Sequence, residues 1–222
     1  MYELVMGMLR AILPKYLKRF SRLLQHNWRH RSIFQAGGAG ATAVRLSFSS
    51  QGLLDFPDKP IVMEVREYRQ LDHLRTCVRE RGSVEWLKNN MKRGDVLYDI
   101  GANVGAISFM AWAVAGGDCA VYAFEPGYAN FSALCGNIYL NRAERGIIPF
   151  PVALGAENGI LNFQYTNLSA GYALHALEDP GRLDPDTKEY VFCHPVLVFS
   201  LDNFIAEFGL KMPNHIKLDV DG

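Results

Sequence analysis

Asp95-Val-Leu-Tyr-Asp-Ile-Gly-Ala-Asn-Val-Gly105, followed by Val121-Tyr-Ala-Phe-Glu-Pro126, decides how this chain is read. An apolar strand, Val96 to Tyr98, ends at Asp99 and turns through Gly101, where the missing Cβ lets a ligand lie against the backbone. Asn103 to Gly105 then open a helix. A second apolar strand, Cys119 to Phe124, ends in Glu125, the place where α/β nucleotide folds bind ribose hydroxyls. Two strand ends thus frame one nucleoside site.

The glycine pattern narrows the ligand. A dinucleotide fingerprint needs a second glycine where the backbone approaches the pyrophosphate. Here that position is Asn103, and the third position is Ala106. A ligand with a ribose and no phosphate fits better, and S-adenosylmethionine is one. Glu125 is expected to meet its ribose, Gly101 to lie under its methionine arm, Asp99 to face that arm's positive charge directly or through water, and the helix start at Asn103 to Gly105 to meet its carboxylate.

Outward from this stretch the chain alternates strand and helix, the pattern of a parallel sheet with right-handed crossovers. Helices are expected over 104–115 and 128–142, and strands over 96–99, 120–124 and 148–154. Glu157-Asn158-Gly159 reads as a hairpin turn returning through Leu161 to Tyr165. Residues 166–194 read as a long polar loop, of the kind that is usually functional. Strand 196–199, helix 201–209 and strand 216–220 follow. The expected fold is α/β, Rossmann-like and mostly parallel.

Upstream, Val44 to Phe48 and Ile61 to Arg66 alternate as half-buried strands do. Glu67 to Arg81 and Val84 to Met91 read as helices covering the main sheet. Three regions result: a basic amphipathic segment with a Gly-rich joint at 1–43, a small strand and helix region at 44–94, and the Rossmann-like domain at 95–222.

The 222 residues carry no net charge, yet residues 1–45 hold eight Lys or Arg against Glu3, so +7 at the start is balanced by −7 elsewhere. Within residues 4–28, Leu4, Met8, Ile12, Leu17, Phe20 and Leu24 alternate with Arg10, Lys15, Lys18, Arg19 and Arg22. Such a segment packs as a solvated helix or contacts an anionic membrane surface or a partner. No apolar run approaches the roughly 18 residues of a membrane span, and the charges follow the apolar part, the reverse of a secretory signal. The four cysteines, Cys77, Cys119, Cys135 and Cys193, lack metal-ligand spacing. They read as reduced thiols, with no metal expected and a cytoplasmic setting.

Asp99-Ile-Gly-Ala-Asn-Val-Gly105, Phe124-Glu-Pro126, Asn137 with Asn141, Val152-Ala-Leu-Gly155, Ser200-Leu-Asp-Asn203 and Ile216-Lys-Leu-Asp-Val-Asp-Gly222 together resemble the ordered motifs of FkbM-type S-adenosylmethionine-dependent methyltransferases. The resemblance spans roughly residues 80–222. It implies a class I methyltransferase fold and S-adenosylmethionine as cofactor, held by Asp99, Gly101, Asn103, Gly105, Glu125, Pro126 and the main chain at Ala153. It also implies a hydroxyl acceptor on a glycan or small metabolite, and no nucleic-acid partner. The family carries glutamate where this chain has Asp221, and its sheet continues for about three strands. The expectation is therefore a C-terminally incomplete domain, a fragment or a chain completed by another polypeptide.

Methyl transfer to a hydroxyl needs alignment and a base. Asp219, at the end of the last strand, is the first candidate and Asp221 the second. Lys217 reads as too deep in the strand to pair with Asp219, and His215, about 13 Å below Asp219 at roughly 3.3 Å per residue, as remote from the chemistry. His175, Tyr165 and Tyr172 are weaker candidates for acceptor contact. Asn137 and Asn141, four apart on one helix face, read as tethers. Two rivals stay open: a non-catalytic nucleoside-binding module, and a nicotinamide-dependent oxidoreductase, against which Asn103 argues.

Overall fold

Strands β3 (Val96–Ile100), β4 (Ala120–Phe124), β5 (Ile147–Phe150) and β10 (His215–Leu218) make one fully parallel sheet, in the order β10-β3-β4-β5. The computed structural model describes residues 50–66, 68–178 and 189–220. The basic segment, the Gly-rich joint, the strand expected at 44–48 and Asp221 lie outside these residues.

Alternation along β3 divides the core. Val96, Tyr98 and Ile100 join Phe124, Val152 and Phe204 on one face. Leu97 points to the other, where it meets Val121, Ala123 and Ile147 together with Ile107, Phe109, Met110, Leu134 and Ile138. The second group comes from α4 (Ala106–Val114) and α5 (Tyr128–Asn141), the crossovers from β3 to β4 and from β4 to β5. The first is covered by α6 (Leu201–Phe208), capped by Ser200 Oγ, which accepts from the Asn203 N–H, and stopped at Gly209 with φ 62°. Apolar side chains on both faces are what a parallel sheet requires.

Leu54, Phe56, Ile61, Met63, Val84, Leu87 and Met91 pack into the same core as α4 and α5. Residues Gln51–Gly222 form one compact unit. Strands β1 (Ser50–Leu53) and β2 (Val62–Val65) pair with each other. The helix expected over 67–81 is instead two short pieces, α1 (Gln70–His73) and α2 (Thr76–Arg79), before α3 (Arg81–Asn90). Side chains compete with helix continuation here. Asp55 accepts from the Cys77 and Val78 N–H groups at 2.9 and 3.0 Å, and Thr76 Oγ1 donates to the His73 carbonyl at 2.7 Å.

The strand expected over 148–154 also divides. Pro151 has no N–H to give the ladder, and beyond it β6 (Ala153–Leu154) leaves the parallel sheet for a second one, ordered β6-β9-β7-β8. In that sheet β7 (Gly159–Tyr165) runs antiparallel to β9 (Phe192–Phe199) and to β8 (Ala176–Leu177), while β6 runs parallel to β9. The Glu157 to Gly159 turn therefore does not close a hairpin between neighbours. Asn158 Oδ1 accepts from the Ser200 N–H at 2.9 Å and from Asn203 Nδ2 at 3.3 Å, tying the turn to the start of α6.

Asn137 and Asn141 act as tethers. Asn137 Oδ1 accepts from the Glu64 N–H at 2.7 Å, Asn141 Oδ1 accepts from the Val62 N–H at 2.8 Å, and Asn141 Nδ2 donates to the Val62 carbonyl at 2.6 Å. Four helical residues rise about 6 Å and two strand residues about 6.6 Å, so the two amides meet alternate residues of β2. Among the described residues no helix is long and apolar enough to cross a membrane.

Candidate active site

The strand order reverses at β3, with β4 on one side and β10 on the other, and ligands of open α/β sheets bind at such switch points beyond the carboxyl ends. A cavity of about 260 Å³ opens there. Gly101, Asn103, Glu125, Pro126, Ala153 and Asp219 all line it, so six of the expected site residues converge. Asp99 and Gly105 do not.

The loop after β3 is built from unusual backbone: Gly101, Asn103 and Gly105 have φ of 78°, 51° and 92°. A Cβ on Gly101 would run into the carbonyl oxygen of Asp219. The glycine thus lets β10 end against this loop, besides leaving the loop bare towards the cavity. A Cβ on Gly105 would lie 2.6 Å from Leu134 Cδ1 and 3.1 Å from Phe109 Cε2, so this glycine serves the packing of α4 on α5.

Glu125 is 5% exposed, and each of its oxygens accepts one backbone hydrogen bond at 2.8 Å, Oε2 from the Asn103 N–H and Oε1 from the Gly127 N–H. Burial pushes its carboxyl up to about 7, against the opposing pull of those N–H groups and of Asn130. A carboxylate has about four lone-pair sites, so beyond these bonds capacity remains for a ligand donor. Beside it, Asn103 Nδ2 donates to the Tyr172 carbonyl at 3.2 Å, while the buried Asn103 Oδ1 has no hydrogen-bond partner. A buried orphan acceptor on a cavity wall is what an absent donor leaves behind.

The far wall comes from the 170–177 segment. The Tyr172 carbonyl also accepts from Asn130 Nδ2, the Gly171 N–H donates to Asn130 Oδ1 at 2.8 Å, and His73 Nε2 lies 2.9 Å from the Gly171 carbonyl. Burial holds the His73 imidazole below its ordinary value. Of the weaker candidates, Tyr172 and His175 reach the cavity. Tyr165 does not: its hydroxyl is 2.7 Å from His194 Nε2, and burial pushes it up to about 12.

The residue that sequence reasoning missed is Lys217. It is in register with Asp99 across the β10 and β3 pair. Its Nζ lies 3.2 Å from Asp99 Oδ1, 3.3 Å from Asp219 Oδ2 and 3.2 Å from the Gly101 carbonyl. The expected obstacle, that Lys217 sits two residues deeper than Asp219, is overcome by its own length. The four-carbon stem runs up the sheet and delivers the ammonium to the strand end. Burial would lower that ammonium, but the Asp99 and Asp219 charges outweigh it and raise it. Asp99 is fully buried, with Ser108 Oγ donating to its Oδ2 at 2.6 Å. It therefore reaches the cavity only through Lys217, and direct contact with the charged arm of a cofactor is not what this geometry offers. His215, at the opposite end of β10, is 2.9 Å from Asp95 Oδ2.

The methyltransferase FkbM domain model matches residues 99–222, more than half of the chain. The chain belongs to the FkbM methyltransferase family. Its core is a four-stranded parallel, Rossmann-like α/β sheet, and the strand ends that form the cavity fall within the FkbM match. Hexuronic acid methyltransferase AglP of Haloferax volcanii is 25% identical over 158 residues, covering 71% of this chain and 59% of AglP. The FkbM chain described here thus spans 59% of the length of that relative. Among solved structures, Pyrococcus horikoshii TYW2 in complex with MeSAdo overlaps 49% of this chain and 37% of its own, with 15% identity and a TM-score of 0.36. Methanocaldococcus jannaschii TYW2 in complex with AdoMet overlaps 50% and 46%, with 14% identity and a TM-score of 0.33. These overlaps are partial, and the fold rests on the sheet itself.

Proposed function

We propose that this protein transfers a methyl group from S-adenosylmethionine to a hydroxyl oxygen of a sugar or other hydroxylated metabolite. The observation that carries the reading is the pairing, in one cavity, of the buried, doubly anchored Glu125 with the exposed carboxylate Asp219. The residues present fit the cofactor. Glu125 has acceptor capacity left for a ribose diol, Asn103 Oδ1 is a buried acceptor awaiting a donor, and the backbone of Val152 to Leu154 lines the wall where an adenine edge would find hydrogen bonds. S-adenosylmethionine, when bound, supplies a methyl group on a positively charged sulfur, already activated for displacement.

What remains for the chain is to orient the acceptor and take its proton. Asp219, at the rim, would accept the proton that the acceptor hydroxyl gives up. Asp221, the second candidate base, lies outside the described residues. A diphosphate cofactor is disfavoured because the Asn103 side chain, tied to Tyr172, stands where a nicotinamide dinucleotide needs bare backbone.

An acidic sugar is the acceptor to test first. AglP is named for hexuronic acid, and Arg79 lines this cavity while its side chain makes no hydrogen bond or ion pair among the described residues. The test is transfer of a labelled methyl group to matched neutral and acidic glycans and small polyols. Label on an oxygen of one of them is the expected result. Binding of S-adenosylmethionine without transfer to any acceptor would favour the non-catalytic module, and binding of NAD in its place would sink the reading.

A further inference from the structure

Asp219 is an exposed member of the site, its side chain 70% accessible, and among the described residues its carboxylate is paired with Lys217. A surface carboxylate of this kind ordinarily samples several rotamers, and an exposed ion pair does little to stop it. Lys217 is not an exposed cation, however. Its side chain is 16% accessible, and its ammonium donates to the Gly101 carbonyl at 3.2 Å. It is ion-paired with Asp99 Oδ1 at 3.2 Å, an oxygen that takes no well-aligned hydrogen bond, and with Asp219 Oδ2 at 3.3 Å. Asp99 is itself fixed, fully buried and bonded by Ser108. Ser108, Asp99, Lys217 and Asp219 thus form a chain running from the core of α4 to the cavity rim.

Charge follows the same route. One cation stands between two carboxylates, and the buried one is also stabilised by a hydroxyl. The surplus negative charge therefore belongs to the member that water and acceptor can reach. Glu80, itself exposed, also lines the cavity and faces Lys217 and Asp219.

We propose that Lys217 is a positioning residue: braced on Asp99 and on the Gly101 carbonyl, its ammonium holds the Asp219 carboxylate in one orientation towards the acceptor hydroxyl. The catalytic half of this rests on the methyl-transfer reading above, whereas the brace itself stands without it. Asp99, on this account, is the counter-ion that fixes the brace.

The experiment compares K217M, K217R, D219N and K217M/D219N, with kcat and acceptor KM measured separately and S-adenosylhomocysteine affinity measured by calorimetry. K217M should lower kcat by about 10²-fold, the scale of a misplaced catalytic group, with nucleoside affinity within about twofold of the parent. K217R should recover part of that loss. Since Lys217 acts through Asp219, K217M/D219N should be no slower than D219N. Losses that multiply in the double variant, or a K217M that loses nucleoside affinity and keeps its kcat, would overturn the proposal. If K217M fails to fold because Asp99 is left uncompensated, D99N/K217M removes that charge along with the brace and should show the same fall in kcat; full activity there refutes it.

A turnover-free arm follows the Lys217 ammonium by nitrogen NMR, where D219N should speed exchange of its protons. An unchanged spectrum would mean that no brace exists in solution. A parent protein that neither binds S-adenosylhomocysteine nor transfers label sinks the methyltransferase reading alone, and the NMR arm still decides the brace.

Discussion

At Glu125, burial and backbone hydrogen bonds act in opposite directions, and burial wins: the carboxyl sits near 7, above the ordinary 4.5. Between these values the folded chain keeps a proton that the unfolded chain has lost. The stability contributed by this group is therefore complete below about 4.5 and is lost as pH rises through about 7, roughly 3 kcal/mol across the window. Glu125→Gln should flatten that slope in denaturant unfolding from pH 4.5 to 8; an unchanged slope would show that Glu125 does not titrate there. Donors on a bound ribose favour the carboxylate, so nucleoside affinity should tighten from pH 5 to 7 with release of a proton, seen as calorimetric heats that depend on the buffer. The position of Glu125, at a strand end facing the cavity, was legible because the strand pattern alone dictates it. Its raised carboxyl was not, since that depends on Asn103, Gly127 and Asn130 closing around it.

Elements hold together here through side chains that imitate backbone. The α5 amides Asn137 and Asn141 give β2 the bonds that a neighbouring strand would supply. Asn137 also donates to the Val104 carbonyl at 2.9 Å, so one buried side chain links β2, α5 and the loop before α4. Asn137→Ala strands the Glu64 N–H and the Val104 carbonyl, and should cost about 1 to 3 kcal/mol of stability in chemical denaturation. Asn137→Asp keeps one acceptor and should restore part of this, while a loss no larger than that of an exposed Asn→Ala change would refute the tether. The four-residue spacing was visible in the sequence, but β2 as its partner was not. Pro151 marks the opposite case: the sequence reads as one strand through it, 148–154, whereas its missing N–H ends β5 and β6 pairs instead with β9.

Over the whole molecule, the cavity draws its walls from segments far apart in the chain: 73–80, the strand ends at 100–107 and 124–130, 152–154, 172–177 and 217–220. A ligand that fills it should therefore protect all of them together. S-adenosylhomocysteine at a hundred times its Kd should add about 2.7 kcal/mol to the unfolding free energy. Amide exchange should slow in residues 73–80 and 172–177 as well as in the Gly101 to Gly105 loop. Protection confined to that loop would mean that the 170–177 segment and α2 are not walls of the working site.

The sequence by itself determined the parallel sheet, the nucleoside-type loop and the acids at the strand ends, because strand period, glycine placement and the order of elements are local properties of the chain. It also carried the family, through motifs in their proper order. Only the tertiary structure decided that Asp99 belongs to an internal ion pair, that Lys217 reaches the rim, and that Tyr172 and His73 close the far wall. Each of these depends on register between β10 and β3, or on contacts between segments about a hundred residues apart, which no local pattern encodes.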